Sequence, residues 1–187
     1  MVASNPSSIM RIMSDPSDFA LLADGVAPTF DNRALRQALG QFATGVTVVT
    51  TRSGSGEFMG LTANSFGALS LDPPLITWAL RLSSSSLAVF QHNERFVVNV
   101  LTDAQVETSR LFASRSADKF SQVAHAENAR GLPFLHGAAA WFECRQVSHQ
   151  AAGDHCLFIA EVERFTHSEG APLLFHCGAY FTLGSRL

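Results

Sequence analysis

The spacing of hydrophobic residues predicts one amphipathic helix followed by a series of strands. Asp31 can cap a helix whose apolar residues recur at helical spacing, and we expect Gly45 to end it. These apolar residues are Leu35, Ala38, Leu39 and Phe42. The β-branched run VTVVTT at 46–51 predicts a strand, and the turn SGSG at 53–56 joins it to a second strand, FMGLTAN.

The later apolar segments predict more strands and two more short helices. Strands are expected at PPLITWAL, RFVVNVL, WFECRQVSH, CLFIAEVERF and HCGAYFTL. Serines open a short helix in SSSSLAVFQHN, and Asp103 can cap another that runs through Phe112. Many strands, short helices and no regular strand–helix alternation predict a mainly β fold, either a barrel or a sandwich.

The first thirty residues differ from the rest of the chain. They contain Ser, Pro and Asp clusters, little periodicity and one short apolar patch at 19–22. We expect residues 1–30 to form a tail that is flexible or partly helical, and residues 31–187 to form one domain. A hydrophobic content of 47% is sufficient for the core of such a domain.

Charge and cysteine content argue against several classes of protein. A net charge of −3, with 13 Lys plus Arg spread thinly, provides no basic stripe for nucleic acid. No segment approaches the roughly 20 apolar residues of a membrane span, and MVASNPSSIM lacks the pattern of an export signal. Three cysteines without CxxC spacing favour no disulfide framework. We therefore expect a cytoplasmic protein that binds neither membrane nor nucleic acid.

A first polar cluster lies in GLTANSFGALSLDPP, residues 60–74. Thr62, Asn64, Ser65 and Ser70 interrupt apolar sequence ahead of an Asp-Pro-Pro turn. Hydroxyls and amides in such a setting can present hydrogen-bonding groups to a flat heteroaromatic ligand. They also fit an ordinary strand with its polar face in water, and the residues alone leave both interpretations open.

A second cluster, LSSSSLAVF at residues 82–90, contains a run of serines. Serines at a helix start satisfy unpaired amides, and the same groups can seat a phosphate. Lys119 in SADKF could supply the positive charge, or it could be an ordinary solvated lysine. Both interpretations again remain open.

The third cluster is the GDH triplet in AAGDHCLF, residues 151–158. Gly153 allows a tight turn, and Asp154 can accept a hydrogen bond from the ring of His155 and select its tautomer. A histidine oriented in this way can hydrogen-bond a substrate amide or shift protons. An Asp and a His also occur at hairpin tips that carry no chemistry.

Other kinds of site receive little support from the sequence. A zinc site could be imagined from Cys144, His149, His155 and Cys156. Cys144 and His149 fall on opposite strand faces, however, and the intervals between the four residues match no usual zinc spacing. The chain contains no G-x-S-x-G, G-x-G-x-x-G or P-loop motif. We expect no metal site. Phe112, taken by itself, is typical of a core aromatic residue.

The order of the motifs along the chain is more specific than any one of them. FATGVTVVT, TANSF followed by SLDPP, FVVNVL and GDH occur in that order between about Phe30 and Phe181. This order resembles the short-chain flavin reductase family, the NAD(P)H:flavin oxidoreductases that serve two-component monooxygenases. The resemblance implies an FMN-binding split β-barrel with a Greek-key arrangement and short peripheral helices. It also implies a homodimer with the flavin site near the subunit interface.

The resemblance further implies which residues bind the cofactors, FMN or FAD and NADH or NADPH. The isoalloxazine and ribityl region would be lined by Thr62, Ala63, Asn64 and Ser65, with Ser70 close by. The phosphate side would be lined by Ser83, Ser85, Ser86 and Lys119, and Phe112 would lie near the ring or its entrance. Gly153, Asp154 and His155 match the GDH motif associated with the nicotinamide.

The implied reaction is hydride transfer from reduced nicotinamide to N5 of the flavin. His155, oriented by Asp154, would position the nicotinamide, and the reduced flavin would supply a partner monooxygenase. The alternative is a non-catalytic flavin-binding electron-transfer or sensor protein on the same barrel. An oxidase of the pyridoxamine-phosphate type would need a more basic phosphate pocket, and a purely structural module would leave the three polar clusters unexplained.

Overall fold

The computed structural model describes residues 31–185 of the chain. These residues divide into two compact units, 31–42 and 43–185. The tail expected over residues 1–30, with its apolar patch at 19–22, lies outside the described residues. The domain boundary expected near residue 30 therefore stays a prediction.

The described part of the first unit is a short helix, α1 (Asn32–Leu39), none of whose residues is buried. Asp31 caps it as predicted, because the carboxylate accepts a hydrogen bond from a backbone amide of the first turn at 2.9 Å. The helix ends at Leu39 with Gly40 as its C-cap, so it stops before Phe42. The prediction that Gly45 ends it is wrong, since that residue belongs to the first strand.

The second unit is mainly β. Within residues 31–185 its strands are, in chain order, β1 (Thr44–Gly45), β2 (Thr47–Arg52), β3 (Phe58–Ala63), β4 (Gly67–Leu71), β5 (Pro74–Arg81), β6 (Arg95–Val100), β7 (His125–Glu127), β8 (Pro133–Leu135), β9 (Ala140–Ala152), β10 (His155–His167), β11 (Leu174–His176) and β12 (Ala179–Phe181). Its helices are α2 (Leu87–His92) and α3 (Val106–Ala113). The predicted mainly β fold with short helices is confirmed.

Seven of these strands form one antiparallel sheet in the order β3-β2-β6-β9-β10-β5-β4. A flat sheet of this size would separate its two edge strands by six spacings, about 29 Å. Residues 64–66, however, connect β3 directly to β4, and that link spans at most about 14 Å. The sheet must therefore curl until its edges nearly meet. Within the described residues β3 and β4 do not pair with each other, so the barrel stays split along a seam.

Two hydrophobic clusters pack on the opposite faces of the curled sheet. Val49 faces the larger one, in which the rings of Trp78 and Phe158 stack at 4.5 Å. Val48 faces the smaller one, which includes Phe112. Successive strand residues point to opposite faces, which explains why the β2 sequence is apolar at neighbouring positions.

Two local predictions differ from the structure, and one interpretation that the residues left open is realised. Residues 67–71, for which an ordinary strand was one of the two interpretations, form β4 and pair with β5. The segment HCGAYFTL is not one strand. It begins with the last residue of β11, turns at Cys177 and Gly178, whose φ angles are 46° and 83°, and continues as β12. The segment before α3 begins with a 3-10 turn that is capped by Thr102 rather than by Asp103.

Candidate functional site

A groove of about 1070 Å³ opens at the seam of the split barrel. Its size is at the upper end of the range for small-molecule sites, about 300–1,000 Å³. The lining residues are 58–65, 79–81, 83–86, 112–117, 119, 120 and 155. We call 58–65, 79–81 and 155 the strand wall, and 112–117, 119 and 120, together with the helix α3 that leads into them, the helix wall. The serine segment 83–86 lies between the end of β5 and α2.

Most of the predicted site residues meet in this groove. Those that line it are Thr62, Ala63, Asn64, Ser65, Ser83, Ser85, Ser86, Phe112, Lys119 and His155. Gly153 and Asp154 lie beside His155 without lining the groove, and Ser70 does not line it either. Ser70 is five residues beyond Ser65 along β4, which places it about 17 Å away along the strand direction.

The link at the seam presents one amide side chain and one hydroxyl. The Ser65 hydroxyl accepts a hydrogen bond from the Ala79 amide at 2.9 Å and donates to the Ala79 carbonyl at 3.1 Å. Ser65 therefore extends the β4–β5 pairing through its side chain. Asn64 is exposed, and within residues 31–185 its side-chain amide has no hydrogen-bond partner, so this amide is available to a ligand.

Thr62 and Lys119 join the two walls of the groove. The Thr62 hydroxyl donates to the Ser109 carbonyl in α3 at 2.7 Å. The ammonium of Lys119, the only lysine in the sequence, donates to the Phe112 carbonyl at 2.9 Å and to the Gly60 carbonyl at 3.4 Å. Burial lowers the pKa of Lys119. Both side chains are therefore engaged in holding the helix wall against β3.

Phe112 forms the buried base of the helix wall. Its side chain is 1% exposed and belongs to the smaller hydrophobic cluster, and its ring meets that of Phe120 edge-on at 5.2 Å. A Cβ atom at Gly60 would lie 2.6 Å from the Phe112 ring, so only glycine allows this approach. Phe112 thus acts mainly as a core residue whose edge reaches the groove.

The first two residues of the GDH triplet, Gly153 and Asp154, form the two-residue turn of the β9–β10 hairpin. Gly153 has a φ of +61°, in the region that favours glycine, and His155 is the first residue of β10. The Asp154 carboxylate lies 2.6 Å from Nδ1 of His155, and this hydrogen bond lowers the pKa of Asp154. The predicted Asp–His pair is therefore present, and Nδ1 is the atom it engages.

The serine segment leads into a helix of only six residues, α2. Ser86 occupies its N-cap position but makes no side-chain capping bond. The Ser84 hydroxyl accepts from the Ser86 amide at 3.3 Å, whereas Ser83 and Ser85 are exposed hydroxyls at the groove. The hydroxyls rather than the short helix are the binding groups that this segment offers.

Sequence reasoning missed two arginines, Arg81 and Arg115, which also line the groove. The first ends the strand before the serine run, and the second lies in the SRSADK segment ahead of Lys119. Their position next to those motifs in the sequence was the signal that could have identified them as groove residues. Within residues 31–185 neither guanidinium group forms a hydrogen bond or an ion pair.

Comparison with known protein families gives a match over most of the chain. The model of the flavin reductase like domain matches residues 39–184. This chain belongs to the flavin reductase-like family. The described fold, a curled antiparallel sheet with short helices, is the fold of this flavin reductase-like domain.

Relatives and solved structures agree with this membership. The reductase component of a flavin-dependent trigonelline monooxygenase from Acinetobacter baylyi is 42% identical over 80% of this chain and 48% of its own. The FMN reductase (NADH) SmoA from Agrobacterium fabrum is 41% identical over 80% of this chain and 85% of its own. The Streptomyces globisporus NADH:FAD oxidoreductase SgcE6, solved with NAD and FAD fragments, has a TM-score of 0.79 at 34% identity, covering 87% of this chain and 98% of its own.

The chain spans about half the length of some of these flavin reductase-like relatives. It covers 48% of the Acinetobacter protein and 50% of a further relative from Rhizobium meliloti. Among the described residues, no group of three or more His, Cys, Asp or Glu side chains is placed to hold a metal ion. Within the same residues, no helix has the length and hydropathy required to cross a membrane.

Proposed function

We propose that this protein is an NAD(P)H-dependent flavin reductase that passes hydride to N5 of FMN or FAD. The observation that carries the proposal is the convergence of the seam link, the serine segment and the His155–Asp154 pair on one groove. The names of the relatives, which include an FMN reductase (NADH) and an NADH:FAD oxidoreductase, support the same reaction.

The residues of the groove fit a flavin. Asn64 offers an unpaired amide at the seam, and exposed serine hydroxyls offer donors on one side of the groove. The Arg115 guanidinium on the helix wall provides positive charge for the phosphate oxygens of the flavin, which Arg binds through paired hydrogen bonds. The flavin, when bound, supplies the two-electron chemistry.

His155 has the role of positioning the nicotinamide. Its Nδ1 atom is engaged by the Asp154 carboxylate, which leaves Nε2 for a ligand. The ring is about one third exposed and lines the groove, so it can reach a bound nucleotide. Asp154 orients the imidazole through its hydrogen bond to Nδ1 and does not itself line the groove.

The test is anaerobic oxidation of NADH or NADPH by the purified full chain with FMN or FAD, followed by nicotinamide absorbance. We expect His155→Ala to lower kcat/KM for the nicotinamide by roughly tenfold to a hundredfold, because ring placement is lost. Flavin affinity should change little. The control is His167→Ala, at the opposite end of β10, where the side chain is exposed and distant from the groove.

Flavin binding without any oxidation of reduced nicotinamide would instead indicate the non-catalytic alternative. Normal nicotinamide kinetics in His155→Ala would remove the role assigned to the imidazole. Reduced flavin recovered in the filtrate of a reaction mixture would support supply to a separate monooxygenase, which the named reductase components among the relatives also suggest.

We further propose that the protein is a homodimer located in the cytoplasm. Its apolar surface supports the dimer: Phe165 is 71% exposed beside the half-buried Phe142 and Phe66, whose rings form a stacked row. The absence of a disulfide pattern among its three cysteines supports a reducing compartment. Light scattering on the full chain gives the oligomeric state, and a monomeric mass would contradict the dimer.

A further inference from the structure

Arg81 and His155 face each other across two neighbouring strands at the groove. Arg81 is the last residue of β5, His155 is the first residue of β10, and the two are register partners in the antiparallel pair. Side chains of directly opposed residues start about 5 Å apart on the same face of a sheet. Both residues line the groove, so a ligand that contacts the imidazole also lies within reach of the guanidinium.

The backbone fixes this arrangement. The Leu82 amide donates to the Asp154 carbonyl at 2.9 Å, which ties the end of β5 to the turn that presents His155. The Ser84 amide donates to the Arg81 carbonyl at 3.0 Å, so the chain turns directly after Arg81 into the serine segment. Arg81 is therefore held at the junction between the histidine and the serine hydroxyls.

Within residues 31–185 the guanidinium of Arg81 makes no direct polar contact, although its charge contributes to the lowered pKa of Asp154, whose largest cause is the hydrogen bond from His155. The nearby Asp154 carboxylate is bonded to His155, and within residues 31–185 no carboxylate lies in ion-pair distance of Arg81. Lys119, by contrast, is bonded to two backbone carbonyls. Of these two groove cations, Arg81 is the one whose donors remain available.

The planar guanidinium matches the oxygens of a phosphate or diphosphate and binds them through two parallel hydrogen bonds. A nicotinamide dinucleotide carries its diphosphate one ribose away from the nicotinamide ring. If His155 holds the ring, as in the proposed function on which this inference rests, the adjacent cation meets that diphosphate.

We propose that Arg81 binds the diphosphate of the reduced nicotinamide donor and thereby selects charged donors at the site where His155 orients the ring. Arg81 is a specificity-determining residue in this role and takes no part in the hydride transfer. Flavin affinity does not depend on it.

The decisive comparison uses two electron donors: NADH, which carries the diphosphate, and reduced nicotinamide riboside, which carries no phosphate. Arg81→Gln should lower kcat/KM for NADH by about tenfold or more, since a charge-assisted pair is lost. The same variant should oxidise the riboside as the unaltered protein does. Arg81→Lys keeps the charge without the planar group and should recover part of the NADH rate.

Two further measurements complete the test. NAD⁺ titrated into the flavin-loaded protein should bind Arg81→Gln about tenfold more weakly, while FMN and riboflavin titrated into the flavin-free protein should bind as before. Arg115→Gln, on the helix wall, is the matched control and should retain the unaltered preference for NADH over the riboside. Thermal unfolding should be the same for all variants, because both side chains are exposed.

Equal losses with both donors would show a structural role for Arg81 and overturn the proposal. Weakened binding of FMN but not of riboflavin would assign the guanidinium to the flavin phosphate and overturn it as well. If the unaltered protein oxidises neither donor and binds no NAD⁺, the proposed function itself fails and this inference falls with it. If it oxidises both donors and Arg81→Gln does not discriminate, only the role of Arg81 fails.

Discussion

The strand wall and the helix wall of the groove are held in place by different means. On the strand wall, main-chain pairing between β5 and β10 fixes Arg81 and His155, so their side chains remain available to a ligand. The helix wall has no such ladder, and the side chains of Thr62 and Lys119 tie it to β3. A polar side chain at the groove is therefore available to a ligand only where it is not required to hold a segment of the protein in place.

This difference changes the interpretation of the positive charges. Lys119, the cation that the sequence suggested for phosphate, donates to two carbonyls of its own protein. Arg81, which the motifs did not indicate, is held by the backbone pairing of β5 with β10 and needs no side-chain bond of its own. Substitutions at Gly60 and Phe112, at Lys119 and at His155 test this division.

The largest effect is expected from Gly60→Ala. The added methyl would lie 2.6 Å from the Phe112 ring and 3.2 Å from a Thr50 methyl group, so the ring must move away from β3. Overpacking of this kind costs about 1–3 kcal/mol in the free energy of unfolding, measurable by urea denaturation. Gly45→Ala, where nothing lies within 4 Å, is the control.

A double substitution sharpens that test. Phe112→Leu shortens the ring that the new methyl would meet, so it should cost less in the Gly60→Ala background than in the unaltered protein. Strictly additive losses would show that these two residues do not determine the position of the helix wall.

A smaller loss is expected from Lys119→Met in the flavin-free protein. The variant loses the bonds to Phe112 and Gly60, which should lower the free energy of unfolding by about 1 kcal/mol because the ammonium is only half-buried. Arg115→Met, an exposed neighbour, should leave it unchanged. An unaltered stability combined with weaker FMN binding would instead make Lys119 a phosphate ligand.

The smallest effect concerns the titration of Asp154, followed by carboxyl carbon NMR. The hydrogen bond from His155 lowers its pKa below the ordinary 3.8, so the pair stabilises the fold above that pH, and the contribution is lost as pH falls through the lowered value. His155→Ala should return the pKa towards 3.8, whereas His167→Ala should not. An ordinary pKa in the unaltered protein would mean that the pair does not form in solution.

Much of the fold could be predicted because local sequence determines it. The β-branched residues of β2 favour a strand and Gly153 allows a tight turn, and both elements were predicted from these local signals. The sequence left the strand β4 as one of two interpretations because its pattern is half polar and also fits a ligand-binding segment. The end of α1 was misplaced because Gly40 and Gly45 are equally good stop signals in the sequence.

The motifs that form the site could be predicted from the sequence, but the role of each residue, whether it binds a ligand or holds the structure, could not. Lys119 has its partners 7 and 59 residues away, and no local pattern reveals those contacts. Arg81 and His155 are 74 positions apart in the chain and become neighbours only through the β5–β10 register. Ser70 was included because it belongs to the same motif as Ser65, although the direction of β4 carries it away.

The three-residue connection between the two edge strands has one more consequence. Because this connection is covalent and short, it limits how far the ends of β3 and β4 that it joins can separate, whatever ligand occupies the groove. The connectivity of the chain therefore limits the thickness of a planar ligand that can bind there. A stack of two aromatic ring systems must extend outwards from the opening of the groove, because it cannot widen that opening.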